Sequence, residues 1–154
     1  MSRYPFSHPL SVPDAQLDFL ARFYQASDRP DAVDEYVSFL APDVDFVMGL
    51  NAVQGHAAVR QIRQNMWGGV VSRKHAPAAV FTSGKGDGKD ELMLNGTVSY
   101  GLRNGTRVDN VGWAAHVVFA GSDELRMKRY QVWIDGAPLS KALAEQAAAG
   151  QTSQ

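Results

Sequence analysis

The chain has 154 residues, among them four histidines, five tyrosines and sixteen Asp plus Glu, and it has no cysteine. Acid–base chemistry must therefore come from imidazole, carboxylate and phenol groups. Disulfides, thiolate nucleophiles, zinc–thiolate sites and iron–sulfur sites are excluded. His8 stands in a proline-broken N-terminal segment and His56 opens a helix beside Gly55, so both are expected at the surface. His116 falls on the more polar face of a strand, at a subunit contact or in solvent. His75 is different, because it ends Arg73-Lys74-His75 at the entry to a long strand, just past a helix end bearing Trp67. An imidazole titrates close to ambient pH and suits a general acid or base, although a lone strand histidine is also a common structural residue. There is no GxGxxG, phosphate-loop or HExxH pattern, and no Asp/His spacing that indicates a metal.

The elements that must position these groups follow from periodicity. Hydrophobic residues make up 45% and charged residues 20%, as in an ordinary globular domain. Fifteen Lys plus Arg nearly balance the acids, so no positive field favours nucleic acid or an anionic membrane. A first helix starts around Pro13-Asp14 and carries the stripe Leu17, Leu20, Ala21 and Tyr24. A second starts around Asp28-Arg29-Pro30, carries Val33, Tyr36, Val37 and Leu40, and stops at Ala41-Pro42-Asp43. A short strand at 44–48 precedes a third helix with Val59, Ile62 and Met66. From about residue 71 the period becomes two, predicting strands at 71–82, 90–103, 106–119 and 124–134, then an alanine-rich helix over 139–149. The glycine-rich 84–88 joins two strands and reads as a hairpin tip. This order is that of an α+β domain, with helices packed on one face of a curved antiparallel sheet. A loosely ordered segment 1–12, a single domain over 13–149 and a flexible tail 150–154 are expected. Prolines interrupt the N-terminal segment where a signal peptide needs an apolar core, and no run approaches the ~20 apolar residues of a membrane span. A soluble, cytoplasmic protein is the expectation.

Asn104-Gly105 predicts a two-residue type I′ hairpin in which paired residue numbers sum to 209. One face then carries Leu102–Arg107, Tyr100–Asp109, Val98–Val111, Gly96–Trp113, Leu94–Ala115 and Leu92–Val117, and is mostly apolar. The other carries Ser99–Asn110, Thr97–Gly112, Asn95–Ala114 and Met93–His116. Gly96 leaves room for the Trp113 indole. Tyr100–Asp109 is the polar exception on the apolar face, either a solvated pair at a sheet end or a polar group converging on a pocket. After Gly121-Ser122-Asp123, a bulged loop places Leu125 and Met127 inside. Continued alternation then turns Arg129, Gln131 and Trp133 inward, whereas a further bulge would substitute Tyr130 and Val132. The first of these is the expectation.

Taken together, Phe23-Tyr24-Gln25-Ala26-Ser27-Asp28, Leu40-Ala41-Pro42-Asp43-Val44, Gly55-His56-Ala57-Ala58-Val59-Arg60 and the late run of long strands resemble the SnoaL-like family. That family belongs to the cone-shaped α+β barrel superfamily of ketosteroid isomerase, scytalone dehydratase and nuclear transport factor two. The resemblance covers about residues 13–136. It implies that Arg73-Lys74-His75 matches the basic-x-His pattern of the dehydratase, which places His75 in the pocket. It also implies that Tyr24 and Asp28 correspond to the dehydratase's tyrosine and acid near the first helix end. The dehydratase's second histidine has no counterpart. The isomerase's base falls near Met48-Gly49 and its buried acid near Ala115, where this chain has no carboxylate. Asp109 and Trp113 resemble the polar-plus-tryptophan stretch that lines SnoaL-like pockets.

The expected site therefore has His75, Asp109 and Tyr100 as catalytic groups and Tyr24, Tyr36, Trp67, Trp113, Gln131 and Trp133 as substrate-binding groups. With no cofactor or metal, it would isomerise, cyclise or dehydrate an apolar polyketide-like or terpenoid-like molecule. The alternatives are a non-catalytic small-molecule binder and a dimeric assembly module. A homodimer would meet through the outer sheet face bearing Met93, His116, Ala114 and Gly112.

Overall fold

The structure, a computed structural model, describes residues 4–82, 90–121 and 123–151. The hairpin tip expected at 84–88 and Ser122, the centre of the 121–123 turn, lie outside the described residues, as do the ends 1–3 and 152–154 of the terminal segments. In chain order the elements are α1 (Asp14–Ser27), α2 (Val33–Ser38), β1 (Leu40–Met48), β2 (Asn51–Gln54), α3 (His56–Asn65), β3 (Val70–Thr82), β4 (Glu91–Leu102), β5 (Arg107–Phe119), β6 (Met127–Ile134) and α4 (Ala137–Gln151).

The strands form one curved sheet in the order β2-β1-β6-β5-β4-β3. The expected α+β cone is present, with two corrections. β1 runs parallel to β6, so the sheet is mixed, and it stays open at β2 and β3 instead of closing as a barrel. A parallel pair needs a long connection, and α3 with three long strands supplies it here. β2 had no forewarning, since Asn51-Ala52-Val53-Gln54 shows no apolar alternation.

α1 fills the concave side. Leu17, Leu20 and Phe23 are fully buried and Phe19 and Tyr24 nearly so, each contributing roughly 1.5–3 kcal/mol by leaving water. The Phe19 and Phe119 rings meet edge to face at 5.3 Å, joining helix to sheet. Leu40, placed by periodicity in the second helix, instead begins β1. The Phe39 carbonyl accepts the Met127 N–H at 2.9 Å, so pairing with β6 ends the helix two residues early. Phe6 and Val12, in the segment expected to be loose, are buried, and Ser7 bridges to Ala79 on the edge strand β3.

The 209 register holds from Val98–Val111 to Leu92–Val117, and on the outer face at Thr97–Gly112, Asn95–Ala114 and Met93–His116. A Cβ on Gly96 would lie 2.5 Å from the Ala76 carbonyl and 2.9 Å from the Trp113 ring, so glycine is required there. The turn itself is not type I′. Leu102 accepts from the Gly105 N–H at 3.0 Å and donates to Thr106 at 2.8 Å, and only Gly105 (φ +87°) is left-handed. This three-residue loop shifts the register by one at the hairpin end. A bulge at Asn110 (φ +57°), whose N–H donates to the Ser99 hydroxyl at 3.1 Å, restores it.

Candidate functional site

These two irregularities decide what faces inward. Between them Tyr100 pairs with Val108, not Asp109. Tyr100 is buried, whereas Asp109 turns out to solvent and meets the Arg107 guanidinium at 2.8 Å. The expected Tyr100–Asp109 pair does not form, and Asp109 takes no part in the cavity. A carboxylate that can stay solvated avoids the cost of burial.

A second correction lies on β6. Val118 pairs with Arg129 but Phe119 with Met127, so Lys128 is an extra residue that reverses parity. Tyr130 and Val132 point inward, while Gln131 and the half-exposed Trp133 sit on the outer face, away from the cavity. The apolar pair is the one buried, and Arg129 stays outside, paired with Asp45 and donating to Gln131 at 2.6 Å.

The inner face, the end of α1, α2 and the end of α3 enclose a narrow cavity lined by Ser27, Tyr36, Met48, Met66, Arg73, His75, Val98, Tyr100, Trp113, Tyr130, Val132 and Ile134. It offers the centres of water-sized molecules about 30 Å³, room for roughly two waters. Met48, Met66, His75 and Ile134 are its half-buried members, and the rest of the lining is buried. A wider groove lies elsewhere, between α1, α2 and residues 123–125, and contains none of the expected site residues.

His75 and Tyr100 therefore reach the cavity as expected, as do Tyr36 and Trp113. Tyr24 packs behind its wall. Its ring lies 5.0 Å from that of Trp113 and 5.1 Å from the imidazole of His75, and its hydroxyl meets that of Tyr130 at 3.1 Å. Trp67 is also one layer back, with the Arg73 guanidinium 4.6 Å from its ring centre.

Asp28 caps α1 and receives three hydrogen bonds from His75. The imidazole Nδ1 donates at 2.6 Å, and the main-chain N–H is 3.0 and 3.1 Å from the two carboxylate oxygens. An ionised carboxylate only accepts, so the proton is assigned to Nδ1 and the lone pair to Nε2. Burial pushes the His75 pKa below its usual value, while Asp28 pulls it back up. Burial raises the phenol of Tyr100, opposed by the charge of Arg73, and pushes that of Tyr36 up to about 12. The cavity thus has a neutral imidazole base and protonated phenols as donors. Asp28 stands where Asp109 was expected as the carboxylate of the site, and only the family resemblance pointed to it. Arg73 is a further inward group. Its spacing of two from His75 on a strand was the available signal, since such residues share a face.

His56 donates to or accepts from nothing in the cavity; its Nε2 lies 2.9 Å from the Leu40 carbonyl, tying α3 to β1. Among the described residues no three His, Asp or Glu side chains come together as metal ligands, and no helix is long and apolar enough to cross a membrane.

No protein-family profile matches the sequence, and no curated protein is similar to it. Solved structures are. An NTF2-like protein of unknown function from Burkholderia pseudomallei superimposes with a TM-score of 0.69 at 16% identity, covering 84% of this chain and 97% of the other. A suggested polyketide cyclase from Xanthomonas campestris gives 0.61 at 17% identity, with 82% and 93% covered. AclR from Streptomyces galilaeus, a suggested hydroxylase, gives 0.66 at 14% identity, with 85% and 96% covered. The chain has the NTF2-like fold, the architecture of the superfamily that the sequence motifs resemble.

Proposed function

We propose that the cavity is a cofactor-independent acid–base site that isomerises, cyclises or dehydrates a small planar, polyketide-like or terpenoid-like molecule. The carrying observation is His75, bonded to Asp28 through both ring and main chain, at the wall of an aromatic cavity. His75 Nε2 takes a proton from the carbon beside a carbonyl, and the Tyr100 phenol donates to the oxygen where charge develops. Returning the proton to another carbon isomerises; giving it to a departing β-hydroxyl releases water and dehydrates; attack of the enolate carbon on a second carbonyl, whose oxygen then takes the proton, cyclises. The likeness to a suggested polyketide cyclase supports this substrate class. The test is proton exchange and elimination in D2O, followed by NMR, with 4-hydroxy-4-phenylbutan-2-one as probe. The protein should accelerate loss of the α-proton signal, and His75→Ala should lose roughly 10²-fold or more of that rate while keeping its circular dichroism. Full activity in His75→Ala would overturn the proposal. Binding of the probe without turnover would favour the non-catalytic reading.

The outer face supports a compatible second proposal, the homodimer. Phe81, Met93 and Trp133 are 51%, 38% and 48% exposed on neighbouring rows of that face. Apolar exposure of this kind marks contact surfaces. Light scattering at micromolar concentration should give twice the chain mass, and a monomer there would rule it out.

A further inference from the structure

The groups around the cavity offer more hydrogen-bond donors than the protein accepts. Arg73 is only 6% exposed and lines the cavity. Its Nη2 donates to the Met66 carbonyl at 3.3 Å, but Nε and Nη1 have no partner. The indole N–H of Trp113, another lining residue, is buried and unpartnered, as are the Trp67 N–H and Arg63 Nε behind the wall. Every one of these orphan atoms is a donor.

Charge points the same way. Arg63 is fully buried beneath Tyr36, bonded to the Ser27 carbonyl at 2.8 Å, and adds its field to that of Arg73. The carboxylate acting on Arg73 is Asp28, whose oxygens are already spent on His75. Two guanidinium groups against one carboxylate leave a positive charge uncompensated in a desolvated place, and a buried charge without a partner is costly. Burial already pulls the Arg73 pKa down, with Arg63 adding to the effect. The aromatic faces of Trp67 and Tyr100 lie 4.6 and 5.4 Å from the guanidinium, and Arg73 also acts on the Tyr100 phenol through a hydrogen bond, yet Nε and Nη1 still have no acceptor.

We infer that the substrate carries a carboxylate on a small planar ring, with Arg73 binding the carboxylate beside the His75–Asp28 pair. This deepens the acid–base reading and rests on it for the place of the reacting carbon. A monoanion matches the single spare charge. As it stands the cavity has room for only roughly two waters, so a single ring enters only as Met48 and Met66, unbranched and adaptable, yield to admit it.

Benzoate and the isosteric neutral benzamide test this by titration calorimetry on the wild-type protein, with no turnover required. Benzoate should bind roughly 10- to 100-fold more tightly than benzamide, the worth of a charge-assisted hydrogen bond. Arg73→Met should bind the two alike, and Arg73→Lys should keep part of the preference. Equal binding by the wild-type protein, failure of both to bind at millimolar concentration, or an undiminished preference in Arg73→Met would each overturn the inference. Because the wild-type comparison decides by itself, misfolding of a variant does not rescue the idea. His75→Gln separates the two proposals, since it should lose proton exchange and retain the preference for benzoate.

Discussion

His75 and His116 each bring a ring nitrogen to 2.6 Å from a carboxylate oxygen, Nδ1 to Asp28 and Nε2 to Glu91. The functional groups and the distance are the same, and the surroundings are opposite. The inner pair links β3 to the end of α1, with side chains 14% and 13% exposed, and the main-chain N–H of His75 binds the same carboxylate. The outer pair spans β4 and β5 on the convex face, and Glu91 is 53% exposed. Water competes for Glu91 and dilutes the attraction, while Asp28 is desolvated, held from two directions and next to a cavity. A histidine–carboxylate pair becomes a site by its setting, not by its distance.

The largest expected effect is on turnover. Asp28→Asn cannot hold the Nδ1 proton as an ionised carboxylate does, so it should cost about 10²-fold or more in kcat/KM in the proton-exchange assay. Glu91→Gln should stay within about twofold of the wild-type protein. Equal losses from both substitutions would end the distinction between the pairs.

Stability should separate the pairs next. Asp28→Ala leaves the His75 N–H and Nδ1 without their acceptor in a nearly dry place, a loss of about 2–3 kcal/mol. For a chain of this size that lowers Tm by roughly 5–10 °C, read by calorimetry. A change of only a degree would mean that water takes over the role of Asp28, and so that the inner pair is no drier than the outer one.

How much of this was legible in sequence follows from how locally each feature is encoded. The α1 stripe, the 209 register over Leu92–Val117 and the close fit of Gly96 against Trp113 are set by neighbours in the chain or by one hairpin, and they stand. The misplacement of Asp109, Gln131 and Trp133 hung on single inserted residues. The bulges at Asn110 and Lys128 each reverse a face, and with it they moved Asp109, Gln131 and Trp133 out of the cavity. Both bulges keep charged or amide groups in water, a tertiary preference that alternation does not carry. The contact between Asp28 and His75 spans 47 residues and two elements, so no local pattern could supply it.

The pH dependence sharpens the contrast by a smaller amount. Burial holds the His75 pKa below its unfolded value of about 6.5, so the unfolded chain binds a proton that the folded site refuses. The stability tied to this group is present above pH 6.5 and is lost as the pH falls below it, by at most about 1.4 kcal/mol per pH unit. Denaturant titrations between pH 7.5 and 5 should therefore show a steeper fall for the wild-type protein than for His75→Gln. The acid limb of kcat/KM should lie below pH 6.5 for the same reason. Parallel stability curves would mean that Asp28 fully offsets the burial.

The smallest effect belongs to the outer pair. With half of Glu91 in solvent, the gain from attraction is offset by ordering two side chains and by screening, which leaves such pairs roughly 0–1 kcal/mol. A double-mutant cycle with His116→Ala and Glu91→Ala should give a coupling energy below about 1 kcal/mol, shrinking further in 0.5 M salt. The same cycle on His75 and Asp28 should exceed it severalfold and change little with salt, because ions do not enter that cavity. A larger coupling at His116 would put it in a buried contact, and the homodimer proposed for that face is the setting that would bury it. Repeating the cycle at protein concentrations above and below the dimer's dissociation constant then tells which: coupling that rises with association belongs to the interface, and coupling that does not belongs to the pair alone.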